Sequence, residues 1–272
     1  MWKSVRLDDD TEANIYVIDK KAKSTLFVVH GMMANSDYFL NFNTNEIKIN
    51  FNVVIINMPK SKYQDYDDDI TLKLLSNFVY QIYKKLKTKK NYILAHSLGA
   101  PVVLDFAEKV DVERYFFLAP FHPGIIHYPS YRLLSAFLKS KMSNFLTKLT
   151  PSINIVDEID LGFFRKAYEN YSLIFRDNIF DSDYIKKLDR QFRDNADISF
   201  YIVGERDLII SDKHFSDYVD TLMDQKLYKI GHGHNPFKLD YLKIIKLLNK
   251  EIKFKRRIFP LSILKDAKKN PR

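Results

Sequence analysis

Short apolar segments alternate with segments of helical periodicity along the first part of the chain. The apolar segments lie at residues 14–18, 24–29, 52–57, 91–95 and 114–119. Several of them are apolar at consecutive positions, which is typical of strands that are buried on both faces in a parallel sheet. The pattern therefore predicts an α/β fold, in which a mainly parallel sheet is flanked by helices.

Helical periodicity is clearest between the third and fourth of these strands. The apolar positions there are Leu72, Leu75, Phe78, Val79, Ile82 and Leu86. Asp67, Asp68 and Asp69 come just before them, and acidic residues in the first turn of a helix interact favourably with its dipole. We therefore predict an amphipathic helix that opens at these three aspartates.

The pattern changes in the middle of the chain. Between residues 121 and 195 aromatic-rich helical segments occur without clear strands, and strand signals resume at residues 197–204 and 226–230. This predicts a core domain formed by residues 1–120 and 196–250, with residues 121–195 inserted as a helical lid. The aromatic and leucine stripe of the lid comprises Phe137, Leu138, Phe145, Phe163, Phe164, Tyr168, Tyr171 and Phe175. By default this stripe is the lid's own core, and its functional interpretation is an apolar acyl pocket.

The composition is that of a globular protein that can bury a core. The 272 residues are 46% hydrophobic and 28% charged, which argues against intrinsic disorder. The absence of cysteine excludes disulfides, thiolate metal sites and a cysteine nucleophile. The sequence shows neither a signal peptide nor the run of about 18 apolar residues that a membrane span needs, so we expect a cytoplasmic protein.

The formal net charge of +9 is concentrated near the C-terminus, where ten lysines and arginines face two acidic residues from Lys246 onward. Residues 251–272 form a basic tail in which apolar residues are interleaved with the charges. Two interpretations stay open: the apolar residues pack on the protein while the charges are solvated, or the tail makes peripheral contact with an anionic membrane. No nucleic-acid recognition motif accompanies the charge, so we expect no nucleic-acid partner.

The stretch "NYILAHSLGA", residues 91–100, passes from a predicted strand into a helical segment at Ser97. A serine at such a bend has its hydroxyl exposed at the carboxyl edge of the sheet, and small neighbours let the strand and the helix pass closely. Ala95 and Gly99 are these neighbours. Without partners Ser97 would be interpreted as a residue of a tight turn, because a serine hydroxyl is a poor nucleophile unless a base takes its proton.

An acid and two histidines follow later strands of the predicted sheet. Asp207 lies in "GERD", and His232 and His234 lie in "GHGHNPF", each segment coming directly after a predicted strand. Loops at the carboxyl ends of parallel strands meet at one edge of the sheet, so we expect the serine, the acid and a histidine to come together. The structural alternatives for Asp207 are a salt bridge with Arg206 and a helix cap.

Two backbone amides are candidates for stabilising an oxyanion. In "VVHGMM" Gly31 lets the chain turn sharply after a strand, so that the N–H of Met32 can face the N–H of Leu98 at the start of the next helical segment. His30 and His96 border these two loops, and we predict that they are packing or loop-bracing residues rather than bases.

The predicted lid also carries polar residues. His122 and His127 lie at its entrance, and structural or surface roles are favoured for them over lining a pocket. The lid's candidate carboxylates are Asp157, Glu158, Asp160 and Glu169. An aminopeptidase would need such a carboxylate to hold the free amine of its substrate.

Together these motifs resemble those of the alpha/beta-hydrolases, particularly of the esterase and lipase-like members that carry a lid. The resemblance spans roughly residues 14–250. "AHSLG" is similar to the family's G-x-S-x-G, "HGMM" to its oxyanion motif, "GERD" to its acid loop and "GHGHNPF" to its histidine loop. In one departure, Ala95 stands at the first glycine of the G-x-S-x-G motif, and we expect this smallest alternative to be tolerated.

The resemblance implies an alpha/beta-hydrolase fold with Ser97 as nucleophile, Asp207 as acid and His234 as base, and with the amides of Met32 and Leu98 as the oxyanion hole. The family's G-x-G-H-x-P pattern selects the second histidine of its loop. The expected activity is hydrolysis of a small-molecule ester or lipid with a small to medium acyl chain, without metal or cofactor. An aminopeptidase or acyltransferase on the same triad, and a non-catalytic binding protein with this fold, are the alternatives.

Overall fold

A computed structural model of the protein describes residues 1–128, 131, 154–156, 159–207, 209–223 and 226–253. Residues 129–130, 132–153 and 157–158 of the predicted lid lie outside the described residues, and so do residues 254–272 of the predicted basic tail. The interpretations of Phe137, Leu138 and Phe145 and of the tail therefore stay predictions. None of the helices in the described ranges is long and apolar enough to span a membrane.

Among the described residues, the core is an eight-stranded sheet, and a two-stranded sheet lies in the insertion. The strands are β1 (Trp2–Arg6), β2 (Glu12–Ile18), β3 (Ser24–Val29), β4 (Asn52–Ile56), β5 (Lys90–His96), β6 (Arg114–Leu118), β7 (Asn154–Val156), β8 (Ile159–Asp160), β9 (Ser199–Glu205) and β10 (Leu227–His232). The large sheet has the order β1-β2-β4-β3-β5-β6-β9-β10. β2 pairs antiparallel with β1 and β4, and every neighbouring pair from β4 to β10 is parallel. The predicted α/β fold with a mainly parallel sheet is confirmed.

Helices cover the large sheet. The α-helices of the described ranges are α1 (Leu72–Leu86), α2 (Gly99–Leu104), α3 (Leu161–Ile174), α4 (Ser182–Asp194), α5 (Asp212–Val219) and α6 (Pro236–Lys253). Four 3-10 helices lie in these ranges, at Ser36–Asn43, Ala107–Lys109, Pro123–His127 and Ala196–Ile198, and a π-helical turn at Phe175–Ile179 follows α3. α6 continues to Lys253, past the expected end of the core domain at residue 250.

Two apolar layers hold the helices on the sheet. One layer contains α1, α2 and α4, in which Leu75, Val102 and Leu188 are fully buried. The other layer contains α6 and the 3-10 helix after β3, and the ring centroids of Phe42 and Phe237 lie 4.6 Å apart there. Successive residues of β3 belong to opposite layers. The strands are therefore apolar at consecutive positions because both faces of the sheet are buried.

Three local features differ from the predictions. Residues 121–195, predicted as helical segments without clear strands, contain the two-stranded sheet of β7 and β8. β1 has no counterpart among the predicted strands, because it is a mostly exposed edge strand whose sequence, WKSVR, contains no apolar run. The prediction that α1 opens at the aspartates is wrong, since the helix begins at Leu72 and its first turn contains no acidic residue. Thr71 caps it instead: its hydroxyl accepts a hydrogen bond from the Leu74 amide at 3.1 Å.

The parallel strands bring four chemically important loops to one edge of the sheet. β3 and β5 are neighbours in the sheet, and so are β9 and β10. Because all four run in the same direction, the loops after them emerge at the carboxyl edge, where open parallel sheets place their binding sites. These loops carry the residues that the sequence analysis singled out.

Candidate active site

Ser97 lies at the bend between β5 and α2 in a conformation that is uncommon for a residue with a side chain. Its φ is 51°, in the left-handed region, which costs on the order of 1–3 kcal/mol for such a residue. The surrounding main chain imposes this conformation. The Ser97 amide donates to the Leu118 carbonyl at 3.0 Å, and the Phe121 amide donates to the Ser97 carbonyl at 3.0 Å.

The close passage of α2 over β3 depends on Gly99. A Cβ on this glycine would lie 2.6 Å from the Val29 carbonyl oxygen and 2.9 Å from that of His30. Ala95, which replaces the first glycine of the motif, is fully buried in the centre of the sheet, where it pairs with Val29 and Phe117. The sheet therefore accommodates the extra methyl group at Ala95, whereas the position of Gly99 has no room for one.

His234 reaches the serine on a loop that two glycines shape. Gly231 and Gly233 have φ values of 76° and 70°, in the region that favours glycine. The loop crosses directly over the end of β9, because a Cβ on Gly204 would meet the Gly233 carbonyl oxygen at 2.2 Å. The Gly233 amide also donates to the Glu205 carbonyl at 2.9 Å. This packing fixes the start of the loop immediately before His234.

Asp207, His234 and Ser97 form one line of hydrogen bonds. His234 Nδ1 lies 2.9 Å from Asp207 Oδ2, and His234 Nε2 lies 2.9 Å from Ser97 Oγ. The Asp207 side chain is 0% exposed and that of His234 is 21% exposed. The acid is thus sealed from water while the imidazole borders solvent, which is the arrangement that a serine nucleophile and its base require.

The Asp207 carboxylate is held at both oxygens. Oδ1 accepts hydrogen bonds from the amides of Ile209 and Ile210, each at 2.8 Å, and Oδ2 faces His234. Among the ion pairs of the described residues, the partner of Asp207 is His234 rather than Arg206. The two amides therefore orient the carboxylate toward the imidazole and stabilise its charge.

His232 lies elsewhere. Its side chain is 62% exposed, and its Nε2 is 3.7 Å from a carboxylate oxygen of Glu205. The bulge at the end of β10 separates His232 from the hydrogen bonds that His234 makes to Asp207 and Ser97. Of the two histidines in "GHGHNPF", the structure brings only His234 to Ser97.

The loop after β3, which carries the predicted oxyanion donor Met32, is braced by His30, which is fully buried. The Met58 amide donates to His30 Nε2 at 3.0 Å, so the ring proton is on Nδ1, which donates to the Gly31 carbonyl at 2.7 Å. Burial lowers the pKa of His30 to about 4. In a trans peptide the C=O and N–H point in opposite directions, so holding the Gly31 carbonyl also fixes the direction of the Met32 N–H.

The described part of the insertion contacts the same loop at Met33. Met33 has a φ of 58°, and Asn170 Nδ2 donates to its sulfur at 3.6 Å. Burial raises the pKa of Tyr171, and the nearby main chain of Met33 partly offsets this rise. α3 is kinked at Tyr171. No motif or periodicity in the sequence predicts this contact, because the two segments are far apart along the chain.

His122 and His127 do not join the triad. His122 is fully buried, its Nε2 lies 2.8 Å from the Tyr128 hydroxyl, and burial lowers its pKa to about 3. His127 lines a groove of about 780 Å³ beside α4 and α5, whose lining includes no triad residue. No group of three or more metal-ligating side chains occurs within the described ranges.

Comparison with known proteins gives matches of structure alone. No family model and no curated protein matches the sequence. An alpha/beta hydrolase fold protein from Burkholderia ambifaria superposes with a TM-score of 0.63 at 15% identity, covering 91% of this chain and 97% of its own. An esterase from Exiguobacterium antarcticum gives a TM-score of 0.60 at 14% identity, covering 93% of this chain and 100% of its own.

A third solved structure is that of Est816, described as an N-acyl homoserine lactone degrading enzyme. Its TM-score is 0.63 at 16% identity, and the match covers 91% of this chain and 99% of that one. At identities this low, similarity over nearly the whole length of both chains is a statement about the fold. The chemistry of this chain has to be argued from its own residues.

Proposed function

We propose that this chain, which has the alpha/beta-hydrolase fold, is a serine hydrolase that cleaves carboxylic esters of small to medium acyl chain. The observation that carries the proposal is the line of hydrogen bonds from Asp207 through His234 to Ser97, with 2.9 Å at each step. A buried carboxylate, an imidazole at the edge of solvent and a serine on a strained bend together match what nucleophilic catalysis requires.

In the first half of the reaction, Ser97 Oγ attacks the ester carbonyl carbon while His234 Nε2 takes the hydroxyl proton. Asp207 accepts the Nδ1–H of His234, which keeps Nε2 free as the acceptor and stabilises the imidazolium that forms. When the tetrahedral intermediate collapses, the bond to the leaving alkoxide breaks and Nε2 returns the proton to it. The alcohol leaves, and the acyl group stays on the serine.

In the second half, water attacks the acyl-enzyme and His234 Nε2 takes the proton of the water. Collapse of the second tetrahedral intermediate breaks the bond to Ser97 Oγ, which regains its proton from the imidazolium. The carboxylic acid leaves, and the free enzyme is restored. This cycle uses only groups of the chain and water.

The charge that develops on the carbonyl oxygen needs donors. We assign them to the backbone N–H groups of Met32 and Leu98, which follow Gly31 and Ser97 in the two loops. Gly31 lies directly against the Cβ of Ser97, which supports the placement of the Met32 amide beside the reacting carbon. Removing one such donor in a serine hydrolase typically costs about 10²–10³ in kcat.

Esters are favoured over the alternative substrates. Of the lid carboxylates considered for an aminopeptidase, Glu169 is exposed, Asp157 and Glu158 lie outside the described residues, and the side chain of Asp160 is not among the described ones. Among the described side chains, nothing near the triad favours an aminopeptidase or an acyltransferase. A non-catalytic binding protein would have no use for a carboxylate that two amides orient toward an imidazole.

The experiment that tests this proposal is labelling with a fluorophosphonate probe, followed by peptide mapping. We expect the adduct on Ser97 in the wild type and none in Ser97→Ala. A panel of p-nitrophenyl esters from acetate to palmitate, run beside aminoacyl anilides, then defines the substrate class. A folded sample that carries no adduct, or carries it on another serine, contradicts the proposal.

A paired comparison tests the assignment of the base. His234→Ala should lose about 10³-fold or more in kcat, because the serine loses its proton acceptor. His232→Ala, the matched control on the same loop, should keep most of the activity, since that side chain is exposed. The opposite result would place the base at His232.

A further inference from the structure

His96, the residue before the serine, contacts the histidine loop. Its Nε2 lies 2.9 Å from the main-chain carbonyl oxygen of His234, and the two ring centroids are 4.9 Å apart. The residue is 4% exposed, and its ring and that of Phe39 form an edge-to-face pair with centroids 6.2 Å apart. His96 thus joins the end of β5 to a loop 138 residues further along the chain.

The hydrogen bond fixes the tautomer of His96. A carbonyl oxygen only accepts, so Nε2 carries the proton and Nδ1 carries the lone pair. Nδ1 is buried and has no hydrogen-bond partner among the described residues. Burial, followed by the proximity of His234, lowers the pKa of His96 to about 3. The ring is therefore neutral, and its single N–H donates a hydrogen bond to the main-chain carbonyl of His234.

We propose that His96 is a positioning residue for the base: its Nε2–H holds the His234 main chain so that the His234 imidazole reaches both Asp207 and Ser97. The role of His96 in turnover rests on the proposed hydrolase function. The hydrogen bond acts close to the chemistry, because the held carbonyl and the imidazole belong to one residue. A misplacement of about 1 Å at a catalytic group is enough to cost about 10²-fold in rate.

The neutrality of His96 also affects the charge that His234 acquires during the reaction. His234 becomes positively charged when it takes the serine proton, and its ring lies 4.9 Å from the ring of His96. A charged neighbour at that distance would oppose the imidazolium. Because burial keeps His96 uncharged, it can anchor the base without disfavouring the charge that the base acquires.

The test compares variants that separate the hydrogen bond from the shape of the side chain. His96→Leu and His96→Phe remove the donor, and Phe preserves more of the ring volume should Leu fail to fold. His96→Gln carries an amide N–H close to the position of Nε2. His232→Gln, an exposed histidine on the same loop, is the matched control.

We expect His96→Leu and His96→Phe to lower kcat by up to about 10²-fold with KM little changed, because the lost alignment affects the transition state more than substrate binding. His96→Gln should recover most of this loss, and His232→Gln should behave like the wild type. Full activity in the Leu and Phe variants overturns the proposal. Equal loss in Gln and Phe also overturns it, since shape would then be the cause.

A second readout does not depend on turnover. The proton between His234 Nδ1 and Asp207 should give a strongly deshielded 1H NMR resonance in the wild type and in His96→Gln, and the resonance should be lost or broadened in His96→Leu and His96→Phe. Its persistence in those two variants contradicts the positioning role. If wild-type Ser97 does not react with fluorophosphonate, the proposed function fails, yet this resonance still decides the role of His96.

Discussion

Gly31 and Ser97 lie so close together that a Cβ on Gly31 would be 2.8 Å from the Cβ of Ser97. The same Cβ would lie 3.1 Å from Nδ1 of His96. The loop after β3, to which we assign one oxyanion donor, therefore touches the bend after β5, and the absence of a side chain at Gly31 sets the distance between the two loops.

Gly31→Ala should impair catalysis more than folding. The added methyl group has to displace Ser97 or the oxyanion loop, so we expect a loss in kcat that approaches about 10²-fold, the cost of an approximately 1 Å misplacement. Overpacking of this kind typically destabilises a protein by about 1–3 kcal/mol. Steady-state kinetics and urea unfolding measure the two effects.

Gly124→Ala is the control, because its added methyl group would crowd His122 and Tyr218 instead of Ser97. Its Cβ would lie 2.9 Å from Cε1 of His122 and 3.2 Å from the Cβ of Tyr218, which is a comparable clash. We expect a similar loss of stability with activity retained. Equal losses of kcat in the two variants would show that crowding acts through the fold as a whole.

Asp207→Asn should remove about 10³–10⁴-fold of kcat while leaving the fold intact. The asparagine oxygen can still accept from the amides of Ile209 and Ile210, so the loop keeps its anchors. The NH₂ group would then donate to His234 Nδ1 and force the ring proton onto Nε2, where it cannot accept the serine proton. Kinetics together with a melting temperature close to that of the wild type would establish this outcome.

Tyr171→Phe should reduce kcat modestly through the oxyanion loop. It removes the hydroxyl that interacts with the Met33 main chain, and a polar contact of this kind contributes about 0.5–1.5 kcal/mol, which corresponds to about a two- to tenfold change. Tyr168→Phe, on the same helix, is the control and should leave kcat unchanged. If both variants match the wild type, α3 has no influence on the oxyanion loop.

The three buried histidines should make the protein sensitive to acid. Burial lowers the pKa of His30 to about 4 and those of His96 and His122 to about 3, from an ordinary value of 6.5. Below pH 6.5 the unfolded chain therefore binds protons that the folded protein excludes. Stability is fully present above pH 6.5 and falls toward pH 4, by up to about 1.4 kcal/mol per pH unit for each histidine.

His122→Phe checks this prediction at a histidine whose hydrogen-bond partner is Tyr128 rather than Ser97, Asp207 or His234. The variant should lose less stability than the wild type between pH 7 and pH 5, whatever its stability at pH 7. It lacks one histidine that becomes protonated in the unfolded chain but not in the folded protein. Urea unfolding at several pH values measures the slope. Parallel slopes for the wild type and His122→Phe would contradict the assignment of the effect to burial.

The sequence by itself determined that a buried parallel sheet lies between two covering layers, and which types of side chain meet at the site. The consecutive apolar residues of β3 and β5 predict buried strands because both faces of the sheet are covered. The order of Ser97, Asp207 and His234 along the chain, each placed after a strand, indicates one shared edge. These features are local in sequence, or follow from the common direction of parallel strands.

The resemblance already selected His234 over His232, and only the tertiary structure decided what separates the two and what holds each group of the site in place. The sequence pattern offers His232 and His234 two residues apart, and the path of the loop over β9 separates them in space. The bond from His96 to the His234 carbonyl and the contact between Tyr171 and Met33 join segments that are distant in the chain. Such contacts depend on how helices and loops pack around the sheet, and no local periodicity records that packing.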